Sequence, residues 1–246
     1  MSSRHFETGG ASYDRFRPTY PPPLAEYLAA LAPNRSLAVD VGCGTGQLSV
    51  LLAAHFERVS AFDASADQVA NAAACGNTNY AVSAAEELPV QDATAALITA
   101  AQSAHWFDLP AFYEEVRRIA VPDAILALVT YCIPVLDGPG ADRFEQLYWK
   151  DVYRYWPPER VLIENEYRDL PFPFDELTPP RLDIVRDWTA DELLGYVETW
   201  SASKRARADG QGGILDAFAA ELRSLYGDND AQHRITWPVR MRLGRV

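Results

Sequence analysis

Basic residues are scarce in this chain: 22 Lys and Arg stand against 34 Asp and Glu, a formal net charge of −12 at pH 7. Sequence-independent nucleic-acid binding needs a basic footprint, so that class of partner is not expected. Lys204, Arg205 and Arg207 read instead as a solvated helix end. Cysteine is scarce too. Cys43, Cys75 and Cys132 are odd in number and widely spaced, which gives neither a disulfide framework nor a metal site. A reducing, cytoplasmic setting is the expectation. No apolar run approaches the roughly 18 residues of a membrane helix, and Met1–Gly10 is polar without a signal core, so no membrane partner is expected. G-x-S-x-G, H-E-x-x-H and a Walker loop are all missing, which leaves hydrolase and nucleoside-triphosphatase readings without support.

What is present is an ordinary globular composition, 48% hydrophobic and 23% charged over 246 residues. That length suits one large α/β domain with an insertion. Its organising stretch is Leu37–Gln47. A short apolar run containing Asp40 leads into Gly42, Gly44 and Gly46. The run suits a buried parallel strand, and the glycines let the backbone turn and approach a bound molecule closely. Leu48, Leu51, Leu52 and Phe56 then continue at helical spacing. Strand, glycine loop and helix in that order face a ligand at the strand's carboxyl end. The spacing is G-x-G-x-G rather than the G-x-G-x-x-G of a dinucleotide fingerprint. An acid at Asp40 disfavours a pyrophosphate and suits an ammonium group. A second short strand ends in Asp63, whose carboxylate can accept from both hydroxyls of a ribose.

Val39–Gln47 followed by Asp63 resembles motif I and the ribose acid of class I S-adenosylmethionine (SAM) dependent methyltransferases, most closely the small-molecule branch that includes trans-aconitate methyltransferase. The alternative is a Rossmann-like domain for another nucleotide. The resemblance extends along most of the chain. It implies an α/β fold with a Rossmann-like seven-stranded sheet whose last strand is antiparallel, and a helical insertion after strand five. Residues 1–246 would form a single domain, with 1–21 as an N-terminal lid and 133–180 as a cap. Tyr13-x-x-x-Arg17-Pro18-x-Tyr20-Pro21 resembles the lid; a docked arm without a lid's function is the alternative. Ser83–Pro89 resembles the adenine loop, with Ala84 where the family carries an aspartate. Glu86 keeps the acid position there, or else is a solvent-facing carboxylate. The resemblance implies a cofactor site of Tyr20, Asp40, Gly42, Gly44, Gly46, Gln47, Asp63, Gln68, Ala85, Glu86 and Ala101, with no metal.

The remaining elements follow from pattern. Pro21–Pro23 precede a helix over Leu24–Leu31, and a helix is expected over Ala66–Ala74. Strand four, Ala95–Ala100, runs into Ala101–Asp108, which resembles the family's A-x-H-W-F-D stretch. That position is the ligand rim of an open α/β sheet. His105 and Trp106 are the expected acceptor residues, with His105 the candidate base, or else a residue that orients or packs. Val121–Ala124 lacks two glycines of the family pattern before strand five, so a locally different turn is expected. Residues 133–180 are rich in Pro, Tyr and Trp, with a helix over about 141–153. Leu182–Asp187 reads as strand six. Thr189 and Glu192 form a capping box on a helix running to about Trp200. Leu215–Tyr226 is a helix closed by Gly227. His233–Leu243 alternates as strand seven, and Pro238 favours an edge or a bulge. The expected function is methyl transfer from SAM to a small molecule; the alternative is a catalytically silent SAM-binding module. Acceptor identity and oligomeric state are not legible.

Overall fold

The computed structural model describes residues 16–227 and 230–246. The expected lid residues Tyr13 and Arg15, and the rest of 1–15, lie outside the described residues. Among the described residues, no helix is long and apolar enough to cross a membrane.

Five parallel strands carry the site: β1 (Ala38–Val41), β2 (Val59–Asp63), β3 (Thr78–Val82), β4 (Ala95–Ala101) and β5 (Ala120–Tyr131). They lie in the order β3-β2-β1-β4-β5. Strand β9 (His233–Arg245) runs antiparallel beside β5, and β8 (Leu182–Trp188) pairs antiparallel with β9. These are the seven strands expected, with the last one reversed. Two short strands, β6 (Val135–Leu136) and β7 (Asp175–Glu176), also pair with β9. The apolar continuity of β4 and β5 follows from burial on both faces. Leu97, Ile125, Ala127 and Val129 join one core, with helix α1 (Pro22–Leu31) and helix α2 (Gln47–Ala53). Ile98, Leu126 and Leu128 join the other, with helix α4 (Leu109–Ile119).

Several local expectations need correction. Helix α3 spans only Ala66–Ala70. The Asn71 amide donates back to the Asp67 carbonyl at 2.8 Å, a side-chain bond that competes with helix continuation. The glycine-poor turn before β5 is no loop. Helix α4 ends at Ile119 and the strand begins at Ala120, with a register shift between Ala95 and Leu97. Asp123 takes the left-handed conformation there, at φ +62°. Pro238 lies on neither an edge nor a bulge. It sits inside β9, between β5 and β8. Its carbonyl accepts from Cys132 N just past the end of β5. In an antiparallel strand a residue's N and O face one neighbour, so the missing donor points where β5 leaves.

The insertion carries helix α5 (Ala141–Gln146), which continues as a π-helical turn over Leu147–Asp151, and helix α6 (Arg160–Glu164). Tyr148 and Tyr167 are fully buried, and Tyr148, Trp156 and Trp200 contact one another as rings. Trp149 and Tyr153 remain exposed. The capping box at Thr189 is present on helix α7 (Ala190–Glu198). Helix α8 (Ser201–Ala208) follows as a separate helix, and Lys204, Arg205 and Arg207 lie toward its end. Its basic residues are not simply solvated. Arg207 pairs with Glu198 and with Asp216, and Arg205 donates to the Tyr155 carbonyl at 3.2 Å. Helix α9 (Gly213–Tyr226) ends at Gly227, whose φ is +77°.

Candidate functional site

The carboxyl ends of β1, β2 and β4 open onto a cavity of about 580 Å³. Its floor is the loop after β1. Gly42 has φ +66°, and a Cβ there would stand 2.4 Å from the Ser103 Cβ. Ser103 is buried and its hydroxyl donates to the Val41 carbonyl at 3.0 Å. The loops after β1 and β4 therefore interlock, which only a glycine permits. Gly44 lines the cavity. Gly46 does not; the Tyr80 hydroxyl occupies the place where its Cβ would stand. Gly46 thus serves packing rather than the cavity surface.

Asp40 is 1% exposed and lines the cavity. Its carboxylate accepts from Ser49 Oγ at 2.6 Å and Thr99 Oγ1 at 2.8 Å. Burial outweighs these bonds and pushes its pKa up to about 6. Asp63 bridges two backbone amides, Gly44 N at 2.9 Å and Ser65 N at 2.8 Å. Each oxygen keeps further acceptor capacity. Gln68 is buried, and its Oε1 has no hydrogen-bond partner among the described residues. That oxygen stands 3.6 Å from where a Gly44 Cβ would be. A buried amide oxygen without a partner is costly, and an ammonium or N–H donor in the cavity would satisfy it. Cation acceptors at one end and an acid at the ribose position fit SAM's charge and donor set.

Tyr20, Gln47, Ala85, Glu86, Ala101 and Trp106 also line the cavity. Glu86 is not merely solvated. It accepts from Asp108 N at 2.9 Å, while Asp108 caps helix α4. The loops after β3 and β4 are thereby tied together. The sequence reading missed Gln102, Ser103, Phe107 and Tyr131 as lining residues. Tyr131 carried a signal, since it ends β5 at the same rim. Arg17 Nη1 donates to the Tyr131 hydroxyl at 2.9 Å, joining the N-terminal segment to the sheet.

His105 and Trp106 lie on one 3₁₀ turn after β4, with ring centroids 4.9 Å apart. Trp106 lines the cavity and His105 does not. The expectation of His105 as base needs correction. Burial, then the nearby Arg160 cation, push its pKa down to about 3. At neutral pH the ring is uncharged and takes up a proton with difficulty, far from the pKa near operating pH that suits a base. Its Nδ1 is 2.8 Å from the Tyr167 hydroxyl. Cys43 is buried, and desolvation raises its thiol pKa, so it is no nucleophile.

Residues 39–128 match the methyltransferase-domain family. A protein of Dictyostelium discoideum provisionally named a methyltransferase is 32% identical over 241 residues, 95% of this chain and 92% of its own. A Saccharomyces cerevisiae protein provisionally named an S-adenosylmethionine-dependent methyltransferase is 26% identical over 261 residues, 91% of this chain and 89% of its own. A solved structure from Anaeromyxobacter dehalogenans, provisionally named a type II methyltransferase, superposes with a TM-score of 0.88 at 43% identity. It covers 94% of this chain and 98% of that one.

Proposed function

We propose, for a chain that belongs to the class I SAM-dependent methyltransferases and uses SAM as its cofactor, that the acceptor is a small molecule. The trans-aconitate-like branch is part of this reading and rests on the sequence resemblance alone. The observation that carries the reading is the cavity itself. It joins the cofactor loops to Trp106 in one space of about 580 Å³, a volume typical of small-molecule pockets. Bound SAM supplies an electrophilic methyl on a sulfonium, so positioning does much of the catalytic work. In this reading Asp40 and Gln68 hold the amino-acid end, Asp63 the ribose, and Ala85 and Glu86 the adenine side. Gly42, Gly44, Gln47, Tyr20 and Ala101 shape the walls, and Gly46 keeps the loop closed over Tyr80. Residues 133–180 cap the acceptor side of a single domain. A cytoplasmic protein is part of the same reading.

The test is calorimetry with SAM and NAD, followed by methyl transfer from labelled SAM to a panel of small acids and phenols. SAM should bind and NAD should not. NAD binding without SAM binding would overturn the cofactor site. SAM binding without transfer to any small molecule would favour a silent module. Asp63→Ala should weaken SAM binding by roughly 1.5–3 kcal/mol, the scale of hydrogen bonds to a charged group. An unchanged Kd removes Asp63 from the ribose role.

A further inference from the structure

Strand β4 stops at Ala101, level with Val129, while β5 runs on beside β9 through Thr130 and Tyr131. Val129 O accepts from Gln102 N at 2.8 Å, the bond that closes the β4 pairing. One rung further, β4 has no backbone to offer, because Gln102 turns left-handed at φ +56°. Its side chain supplies the missing donor. Gln102 Nε2 donates to the Tyr131 carbonyl at 2.8 Å. A carbonyl only accepts, so the amide nitrogen and not its oxygen stands there. The amide oxygen accepts from Thr130 Oγ1 at 3.1 Å. That hydroxyl is shared, since the Tyr131 carbonyl at 3.4 Å and the Tyr167 hydroxyl are also within its reach. The Nε2 bond is the firm one.

A non-glycine residue in the left-handed region sits against its backbone preference, and the amide bond to β5 fixes it. The turn sends the chain from β4 toward β1. There Ser103 fills the space beside Gly42 and donates to the Val41 carbonyl at 3.0 Å. Trp106 and Phe107 follow and line the cavity together with Ala101, Gln102 and Tyr131. Tyr131 itself is held at both ends, by Gln102 at its carbonyl and by Arg17 at its hydroxyl. Gln102 stands where the cofactor loop, the β4 turn and the N-terminal segment are joined.

We infer that Gln102 is a positioning residue for methyl transfer: its side-chain amide replaces the next backbone N–H of β4, locks the β4 turn to Tyr131, and so sets the wall of the SAM cavity. The inference rests on the methyl-transfer reading and adds a residue to it. Gln102 acts through Ser103, Gly42 and Tyr131 rather than on the reacting atoms. Glycine at this position takes the turn freely yet leaves the Tyr131 carbonyl without its amide. Glutamate sets an acceptor against an acceptor when ionised, and offers a matching O–H when protonated. Facing a carbonyl disfavours the ionised form, so that carboxyl should titrate above the ordinary value of about 4.3.

The experiment is calorimetry of the full chain with SAM at pH 5 and pH 8, with cofactor-free melts on the same samples. Asp40 titrates in this range, so each affinity is taken relative to the parent protein at the same pH. Gln102→Gly should bind SAM about tenfold more weakly than the parent at both values, the scale of one hydrogen bond lost at a buried acceptor. Gln102→Glu should show that loss at pH 8 and recover to within about threefold of the parent at pH 5, where the O–H restores the bond. A glycine variant that binds like the parent would overturn the inference and leave position 102 a backbone turn alone. A glutamate variant equally weak or equally tight at the two pH values would overturn it as well. So would melts that lose the fold in step with affinity, since the amide would then support the fold rather than the cavity wall. A parent protein that binds no SAM would instead overturn the methyl-transfer reading, and the inference with it.

Discussion

Gly42 and Ser103 occupy each other's space: the Cβ that Gly42 lacks would lie 2.4 Å from the Ser103 Cβ and 2.6 Å from its Oγ. The two residues lie in the loops that follow neighbouring strands, so the contact sets how closely the loops after β1 and β4 approach. Gly42→Ala should therefore lower SAM affinity more than tenfold. The second change Ser103→Gly should recover most of it. The double variant should still lose fold stability, by roughly 1–2 kcal/mol for an L-residue in the left-handed region and about 1 kcal/mol for one lost hydrogen bond. Calorimetry on the two variants checks the order. A double variant no better than the single one would assign the defect to backbone conformation alone.

Asp40 makes stability depend on pH in an unusual direction. Its folded pKa of about 6 lies above the ordinary 3.8. Between these values the folded state binds more protons than the unfolded state, so stability falls as pH rises through the window. The contribution lost by pH 7.5 is about 3 kcal/mol. Asp40→Asn does not titrate. Its stability relative to the parent protein should rise by that order between pH 4 and pH 7.5, in denaturant melts at both values. Parallel pH profiles would show that Asp40 does not titrate in this range.

Gly195, inside helix α7, gives a way to move the N-terminal segment without harming the fold. A Cβ there would stand 2.6 Å from the Phe16 ring. Phe16 directly precedes Arg17, Pro18 and Tyr20, all of which line the cavity. Alanine improves helix propensity by roughly 0.5–1 kcal/mol over glycine, so the helix itself should not weaken. Gly195→Ala should lower SAM affinity about tenfold, or about 1.4 kcal/mol, and make the segment easier to cleave in limited proteolysis. Unchanged affinity and cleavage would separate the segment's position from the cavity's.

Local pattern carried far here. The spacing of Gly42 and Gly44 and the acid at 40 marked the floor of the cavity, because those residues act within one strand–loop–helix unit, and Asp63 ends the next strand. The capping box at Thr189 was legible for the same reason. Contacts that need the topology were not legible. Arg17 meets Tyr131 across 114 positions, and His105 meets Tyr167 across 62. Nothing in the spacing of either pair announces them. Gly46 was read as a cofactor residue because nothing in the spacing separates a glycine facing a ligand from one facing Tyr80. Pro238 was placed at an edge because proline lacks a donor; the strand keeps it inside by ending its neighbour there.

The reversed strand also fixes the order in which the protein can finish folding during synthesis. Strands β1 to β5 emerge first and can pair among themselves, as amino-terminal portions generally do. Strand β9 is made last, yet it lies between β5 and β8. Until it arrives, β5 and β8 each present an open row of amides and carbonyls, the kind of edge that recruits other chains. A ribosome stalled shortly before residue 233 would hold a nascent chain with two such edges, and aggregation would begin there rather than at the cofactor loops.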